Sequence, residues 1–91
     1  MTKIQKGHNK FFIKEQGEMI AEITYEPLND EQIDVNHTYV SERLRGQGIA
    51  EQLVDHVVEL AREEGKKIVP TCWYVEVRLN RNEKYQDVLA K

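Results

Sequence analysis

The residues best suited to chemistry are the run Arg43-Leu44-Arg45-Gly46-Gln47-Gly48-Ile49-Ala50, the lone cysteine Cys72, and the side chains of His37 and Tyr74. Two glycines one residue apart let the backbone turn tightly and bring bare amides close to a ligand. A helix starting directly after them adds unpaired N–H groups and the positive end of its dipole. Arg43 and Arg45 add charge-assisted donors for phosphate oxygens. The run therefore reads as a phosphate or diphosphate site. The competing reading is a plain strand-to-helix turn that needs glycine only for its backbone.

Cys72 has three readings: a nucleophile, a residue lining a site, or a small hydrophobe in the core. His37 is a base candidate, because an imidazole titrates near neutral pH. By strand parity it lies with Val35 and Tyr39 on an apolar face, unless a bulge changes its side. Tyr74, two residues beyond Cys72, shares its side if the chain stays extended, and its hydroxyl is a candidate general acid. Trp73 reads as core or as cover for a cleft. His8 and His56 lack metal-ligand spacing, and one cysteine builds neither an intrachain disulfide nor a cysteine-rich zinc site. No metal site is expected.

These groups must be held by a small set of elements. The residues through Asn9 are polar and read as a loose lead-in. Phe11-Phe12-Ile13 begins a strand, Gln16-Gly17 a turn, and Glu18 to Tyr25 alternates apolar and polar apart from Ile20. Together they predict a hairpin. Pro27 to Asp30 is a loop, and Ile33 to Val40 alternates again. After the glycine run, Ala50, Leu53, Val54, Val57, Val58 and Ala61 recur at helical spacing, with Gln52, Asp55, Glu59 and Glu63 on the solvent side. Ile49 to Glu64 is therefore a helix, with Gly65 as its C-cap. Lys67-Ile68-Val69 is a strand parallel to Ile33–Val40. Pro70 lacks a donor, so sheet pairing weakens there. Helices follow over Val75–Asn80 and Glu83–Ala90. The fold class is α+β, a mixed α/β sheet in the order β-β-β-α-β-α within one domain spanning 1–91.

Two common phosphate loops do not fit. A P-loop needs Lys-Ser/Thr after its last glycine, and none follows Gly48. A dinucleotide fingerprint needs a small residue three positions after Gly48, where Glu51 stands. Arg43-Leu44-Arg45-Gly46-Gln47-Gly48 satisfies a third pattern, Arg/Gln-x-x-Gly-x-Gly/Ala. It resembles the acetyl-CoA signature of the GNAT superfamily of N-acetyltransferases. The strand before it, the amphipathic helix after it and the next parallel strand match that fold from about Phe11 onward. The short length and Pro70-Thr71-Cys72-Trp73-Tyr74 resemble a minimal group often called N-acetyltransferase domain-containing proteins.

The resemblance implies a GNAT-like acyl-CoA N-acyltransferase fold in which the strand before the loop and the next strand splay apart. It implies that amides around Arg45, Gly46, Gln47, Gly48, Ile49 and Ala50 hold the diphosphate of coenzyme A. The pantetheine arm would pair with the strand near Tyr39 and Val40, whose N–H groups are candidate donors to the thioester oxygen. The implied activity is acetyl transfer from acetyl-CoA to an unidentified amine, with Cys72 a candidate acetyl carrier and Tyr85, on the last helix where the family often places a tyrosine, a second tyrosine candidate. The alternative is a coenzyme A-binding module with little or no transferase activity, because only Pro27–Gln32 separates the second and third strands and no acceptor groove is evident. A small interaction domain with an incidental glycine turn is a third reading.

Composition narrows the partners. The 91 residues are 40% hydrophobic and 32% charged, with a formal net charge of −3, the balance of an ordinary globular protein. No basic run favours nucleic acid, and no long apolar stretch or charged-then-apolar leader favours a membrane. The single cysteine fits a reducing, cytoplasmic setting. A monomer or weak homodimer is expected.

Overall fold

Alternating apolar residues build the sheet, and the position of each alternation error decides where the chain bends. In a computed structural model, residues 3–90 are described and form a mixed five-stranded sheet in spatial order β1-β2-β3-β4-β5. The strands are β1 (Gln5–Gly7), β2 (Lys10–Glu15), β3 (Glu18–Pro27), β4 (Gln32–Val40) and β5 (Lys67–Pro70). The first four are antiparallel neighbours, and β5 runs parallel to β4. The helices are α1 (Ile49–Glu64), between β4 and β5, and α2 (Trp73–Arg81), after β5.

Two bulges shift the register. Ile13 pairs with Ala21 but Lys14 pairs with Met19, leaving Ile20 as the extra residue. This accounts for the break in the β3 pattern: Ile20 and Ala21 are both buried although adjacent. Thr24 pairs with His37 but Tyr25 pairs with Val35, so Asn36 is the extra residue of β4. Before it, Ile33 and Val35 are buried; after it, His37 and Tyr39 are exposed. The parity expectation for His37 is thereby corrected: the bulge turns it out of the apolar face.

The core lies between the sheet and α1. Ile13, Ile23 and Val35 from the sheet meet Leu53, Val54, Val57, Val58 and Ala61 of α1, all essentially inaccessible. Val75 and Leu79 of α2 close the same core. α1 ends where expected: Gly65 takes a left-handed φ of 66°, and the Lys66 N–H returns to the Ala61 carbonyl at 2.8 Å.

Both ends of the chain depart from expectation. The lead-in is not loose over the described residues, because Gln5–Gly7 pairs with Lys10–Phe12 through a turn at Asn9, whose φ is 57°. Met1 and Thr2 lie outside the described residues. The expected helix over Glu83–Ala90 is only a 3-10 turn, Glu83–Tyr85. The chain then runs beside β5, with Ile68 N–H donating to Val88 O at 2.6 Å and Ala90 N–H to Ile68 O at 2.9 Å. β5 otherwise presents unpaired backbone groups on that side, and strand-like pairing satisfies them where another helical turn would not. Arg62 fastens this tail to α1 through both oxygens of Asp87 (2.8 and 2.9 Å) and the Lys84 carbonyl (2.5 Å).

Among the described residues no helix is long and apolar enough to cross a membrane. Leu53 is fully buried in the second turn of α1. Leu53→Ala is expected to destabilise the fold by about 3 kcal/mol, read as a lower denaturation midpoint at unchanged slope.

Candidate functional site

The site begins where β4 loses a partner. Parallel pairing of β4 with β5 ends at Val35 opposite Pro70. The next two amides, Thr71 and Cys72, both donate to the Val35 carbonyl at 3.1 Å, and the chain then turns into α2 at Trp73. Pro70 supplies no donor of its own, so nothing prolongs the ladder. From Asn36 to Val40, β4 is paired with β3 on one side and has no strand on the other. Ser41 N–H donates to the Ile20 carbonyl of β3 at 2.8 Å. Backbone directions alternate along a strand, so Tyr39 N–H also points to β3 and Val40 N–H points to the free edge. Of the two amides suggested by sequence, only Val40 faces the opening.

The glycine run connects that edge to α1. A 3-10 turn, Glu42–Leu44, starts it, with Ser41 Oγ accepting from the Arg43 amide at 3.4 Å. Gly46 and Gly48 have φ values of 82° and 72°, a region where a side chain is strained even though open space surrounds both positions. Leu44 beneath them is buried and anchors the loop. The amides divide into two groups. Arg45 N–H donates to Glu42 O at 3.2 Å and Gln47 N–H to Leu44 O at 3.3 Å. The Gln47 side chain bonds the Arg43 carbonyl at 3.3 Å. The amides of Gly46, Gly48, Ile49, Ala50 and Glu51 make no such internal bond among the described residues. Arg45 and Gln47 thus shape the loop with their amides, and Glu51 joins the free donors.

These donors border a groove of ≈ 380 Å³ lined by Val40, Leu44, Arg45, Gly46, Gly48, Ile49, Ala50, Glu51 and Tyr74. Its size is that of a small-molecule cleft. Arg43 and Arg45 are exposed, and Arg45 contributes to the lining. The groove joins the α1 N-terminus, the end of β4 and the first turn of α2. Sequence spacing alone did not show that α2 closes it.

Cys72 sits at the other end of the splay as the N-cap of α2. It is half-buried, with Sγ 3.5 Å from Thr38 Oγ1. Thr38, on the core side of the bulged strand, was missed because parity assigns that side to His37. His37 faces outward with its Nε2 3.7 Å from Glu22 Oε2, and it is Thr38 rather than His37 that meets Cys72 across the splay. The expected extended run from Cys72 to Tyr74 is replaced by helix from Trp73. Tyr74 nevertheless reaches the groove, from the first turn of α2. Burial pushes its phenol up; Arg78 opposes that shift and Glu51 adds to it.

Two aromatic expectations are corrected. Trp73 is 74% exposed and belongs to no core. Tyr85 is buried and donates its hydroxyl to Asp55, behind α1 in a separate hollow with Val58, Glu59 and Arg62. Its proton is committed there, away from Cys72. Asp55 in turn leaves the solvated face assigned to it, while Glu59, Glu63 and Glu64 remain exposed. Among the described residues no group of three or more His, Cys, Asp or Glu side chains is arranged to hold a metal.

Known proteins are similar to this chain in sequence and fold. The family model described as GCN5-related N-acetyl-transferase matches residues 10–88. Protein NATD1 of Xenopus tropicalis is 34% identical over 62 residues, covering 68% of this chain and 57% of that protein. The match thus spans little more than half of that curated relative. Protein NATD1 of Danio rerio is 31% identical over 86 residues, covering 89% of this chain and 78% of its own length. The solution structure of a GCN5-like putative N-acetyltransferase from Staphylococcus aureus is 39% identical, covers 97% of this chain and 87% of its own, and superposes with a TM-score of 0.83. A GNAT family acetyltransferase from Elizabethkingia anophelis, crystallised with acetyl-CoA, shares the fold at 22% identity and a TM-score of 0.61, covering 79% of this chain and 50% of its own.

The tyrosines give this region a pH signature. Burial raises Tyr25, Tyr74 and Tyr85 above the ordinary phenol value, and the Asp55 bond raises Tyr85 further. A raised value in the folded state favours the neutral phenol. Its stabilising contribution is complete below about pH 10 and is lost as pH rises through the folded values. Denaturation midpoints are expected to fall above about pH 10. Tyr85→Phe is expected to cost about 1 kcal/mol at neutral pH and to flatten that alkaline decline.

Proposed function

The chain belongs to the GCN5-related N-acetyltransferase family, and we propose that it transfers an acetyl group from acetyl-CoA to an amine. The observation that carries this reading is the continuity between the free β4 edge and the loop of free amides. Coenzyme A has a diphosphate at one end of an extended, amide-bearing arm and a thioester at the other. The amides of Gly46, Gly48, Ile49, Ala50 and Glu51, with the positive end of α1, suit the diphosphate. Arg43 and Arg45 add charge. The arm lies beside β4 from Val40 back toward Asn36 and reaches Cys72 and Thr38 with its thioester.

The chemistry is direct transfer. An acceptor ammonium gives its proton to a base, and His37, on the outward face of β4, takes it. The neutral amine attacks the thioester carbonyl; Val40 N–H meets the arm, and Thr38 N–H, which by alternation faces the same free edge nearer Cys72, donates to the oxygen as it gains charge. Collapse of the tetrahedral intermediate breaks the carbon–sulfur bond; Tyr74 protonates the departing thiolate, and the surplus proton that the attacking nitrogen sheds as the amide forms passes through solvent to restore the phenol. Cys72 and Thr38 line the thioester end. In the covalent alternative the Cys72 thiolate displaces coenzyme A first and carries the acetyl group to the amine.

One observation favours a binding module without turnover. Among the described residues no helix covers the outward sheet face that bears His37 and Tyr39, so no acceptor groove is built over it. Binding, turnover and variant measurements separate these readings. Titration with acetyl-CoA is expected to shift the amide resonances of Val40 to Ala50 and of Cys72 saturably; no such shift refutes both readings. Gly48→Val is expected to weaken binding at least tenfold through strain at its positive φ. Amine acetylation in a substrate panel supports the transferase, and binding without any product supports the module. Cys72→Ala is expected to retain turnover and His37→Gln to lower kcat at unchanged acetyl-CoA affinity. A stable acetyl group on Cys72 by mass spectrometry, with loss of turnover in Cys72→Ala, would establish the covalent route.

A further inference from the structure

Glu51 is an unexpected residue for a diphosphate site. It is the third residue of α1 and lines the groove beside Gly48, Ile49 and Ala50. A carboxylate there is favourable to the helix itself, because it faces the positive end of the dipole. It is unfavourable to an anionic ligand seated on the same amides, because like charges repel. Its amide donates into the groove while its side chain opposes what the amides attract.

The opposing charge comes from the other helix. Arg78 lies one turn beyond Tyr74 on α2, and its Nη2 contacts Glu51 Oε2 at 3.0 Å. Arg78 is 25% and Glu51 53% exposed along their side chains, so the arginine is the more deeply held partner. Arg78 Nε is buried without a partner, so packing of the stem, and not a full set of hydrogen bonds, fixes the guanidinium against Glu51. Arg45 is the other charged residue lining the groove; Arg43 stands exposed in the same loop, and Asp55, one turn along α1, is engaged by Tyr85.

We propose that Arg78 is a positioning residue for cofactor binding: it holds and neutralises the Glu51 carboxylate so that the α1 N-terminus can accept the diphosphate of coenzyme A. This rests on the coenzyme A reading above. Arg78 acts through Glu51 and needs no contact with phosphate. Removal of Arg78 leaves a free carboxylate beside the ligand; removal of Glu51 makes Arg78 dispensable. The pair also ties the helix that presents the diphosphate amides to the helix capped by Cys72.

The test is a double-mutant cycle on coenzyme A affinity, measured calorimetrically with wild type, Arg78→Met, Glu51→Gln and the double variant. Methionine keeps the buried stem volume of Arg78. Arg78→Met alone is expected to weaken binding about three- to tenfold, the size of one uncompensated charge near a dianion in largely aqueous surroundings. The double variant is expected to bind within about twofold of Glu51→Gln, and the Arg78→Met defect is expected to shrink at high salt as screening shortens to about 3 Å near 1 M. Thermal melts and amide spectra of all four proteins separate affinity from unfolding. A double variant as weak as Arg78→Met overturns the proposal, and would mean that Arg78 serves the phosphate or the fold directly. Four equal affinities overturn it as well, leaving the coenzyme A reading intact. No saturable binding by wild type refutes that underlying reading instead.

Discussion

The structure turns on one carbonyl. Val35 O receives the amides of both Thr71 and Cys72, and with that bifurcated contact the parallel ladder between β4 and β5 stops. β4 continues for five residues with only one neighbour. An unpaired half-strand exposes backbone donors and acceptors that a sheet normally satisfies, and such a strand stays available for an extended ligand. The placement of Pro70 just before the divergence removes a donor that would otherwise extend the ladder. Because β5 departs there, α2 can begin at Trp73, Cys72 can cap it, and Tyr74 can reach the groove from its first turn. The candidate site is therefore a consequence of where a strand pairing ends.

The bulge at Asn36 determines what the free half-strand displays. It lies one residue beyond the last β4–β5 pair, so the change of partner and the change of side-chain phase coincide. Before it, β4 presents Ile33 and Val35 to the core. After it, Thr38 faces Cys72 while His37 and Tyr39 face out. An uninterrupted strand would place His37 and Tyr39 against the α1 core. That would bury an imidazole and a phenol without evident partners, a costly arrangement. The bulge exchanges them for Thr38, whose hydroxyl bonds the thiol, and Val40, which packs against the core.

Much of this was legible in the residues, unevenly and for physical reasons. α1 was readable to its ends, since its apolar stripe is strictly periodic and a glycine with positive φ stands at each end. The strand pattern, the parallel crossover and the place of the glycine loop followed from alternation and handedness. β1 was invisible, because Gln5 and Lys6 are polar and exposed and their pairing comes from the turn at Asn9. Ile20 announced its bulge as an apolar residue out of phase, whereas Asn36 gave no sign, being polar at a position where polarity fits either side. The partners that cross elements were beyond reach: Thr38 with Cys72, Arg78 with Glu51, and Tyr85 with Asp55. Each depends on how helices seat on the sheet, which local periodicity does not encode. The tail was misread for a similar reason: Tyr85, Val88 and Leu89 have helical spacing, yet the open side of β5 draws the last residues into pairing.

That tail also orders events during synthesis. β5 lies between β4 and the segment around Leu89, and its outer backbone groups find partners only there. While the nascent chain is still emerging, the four antiparallel strands and α1 can assemble from contacts already made, but the outer side of β5 remains bare. It is covered only after Val88 and Ala90 clear the ribosome, when Arg62 can also grasp Asp87. Until that moment the outer side of β5 is an open strand edge that another chain could pair with.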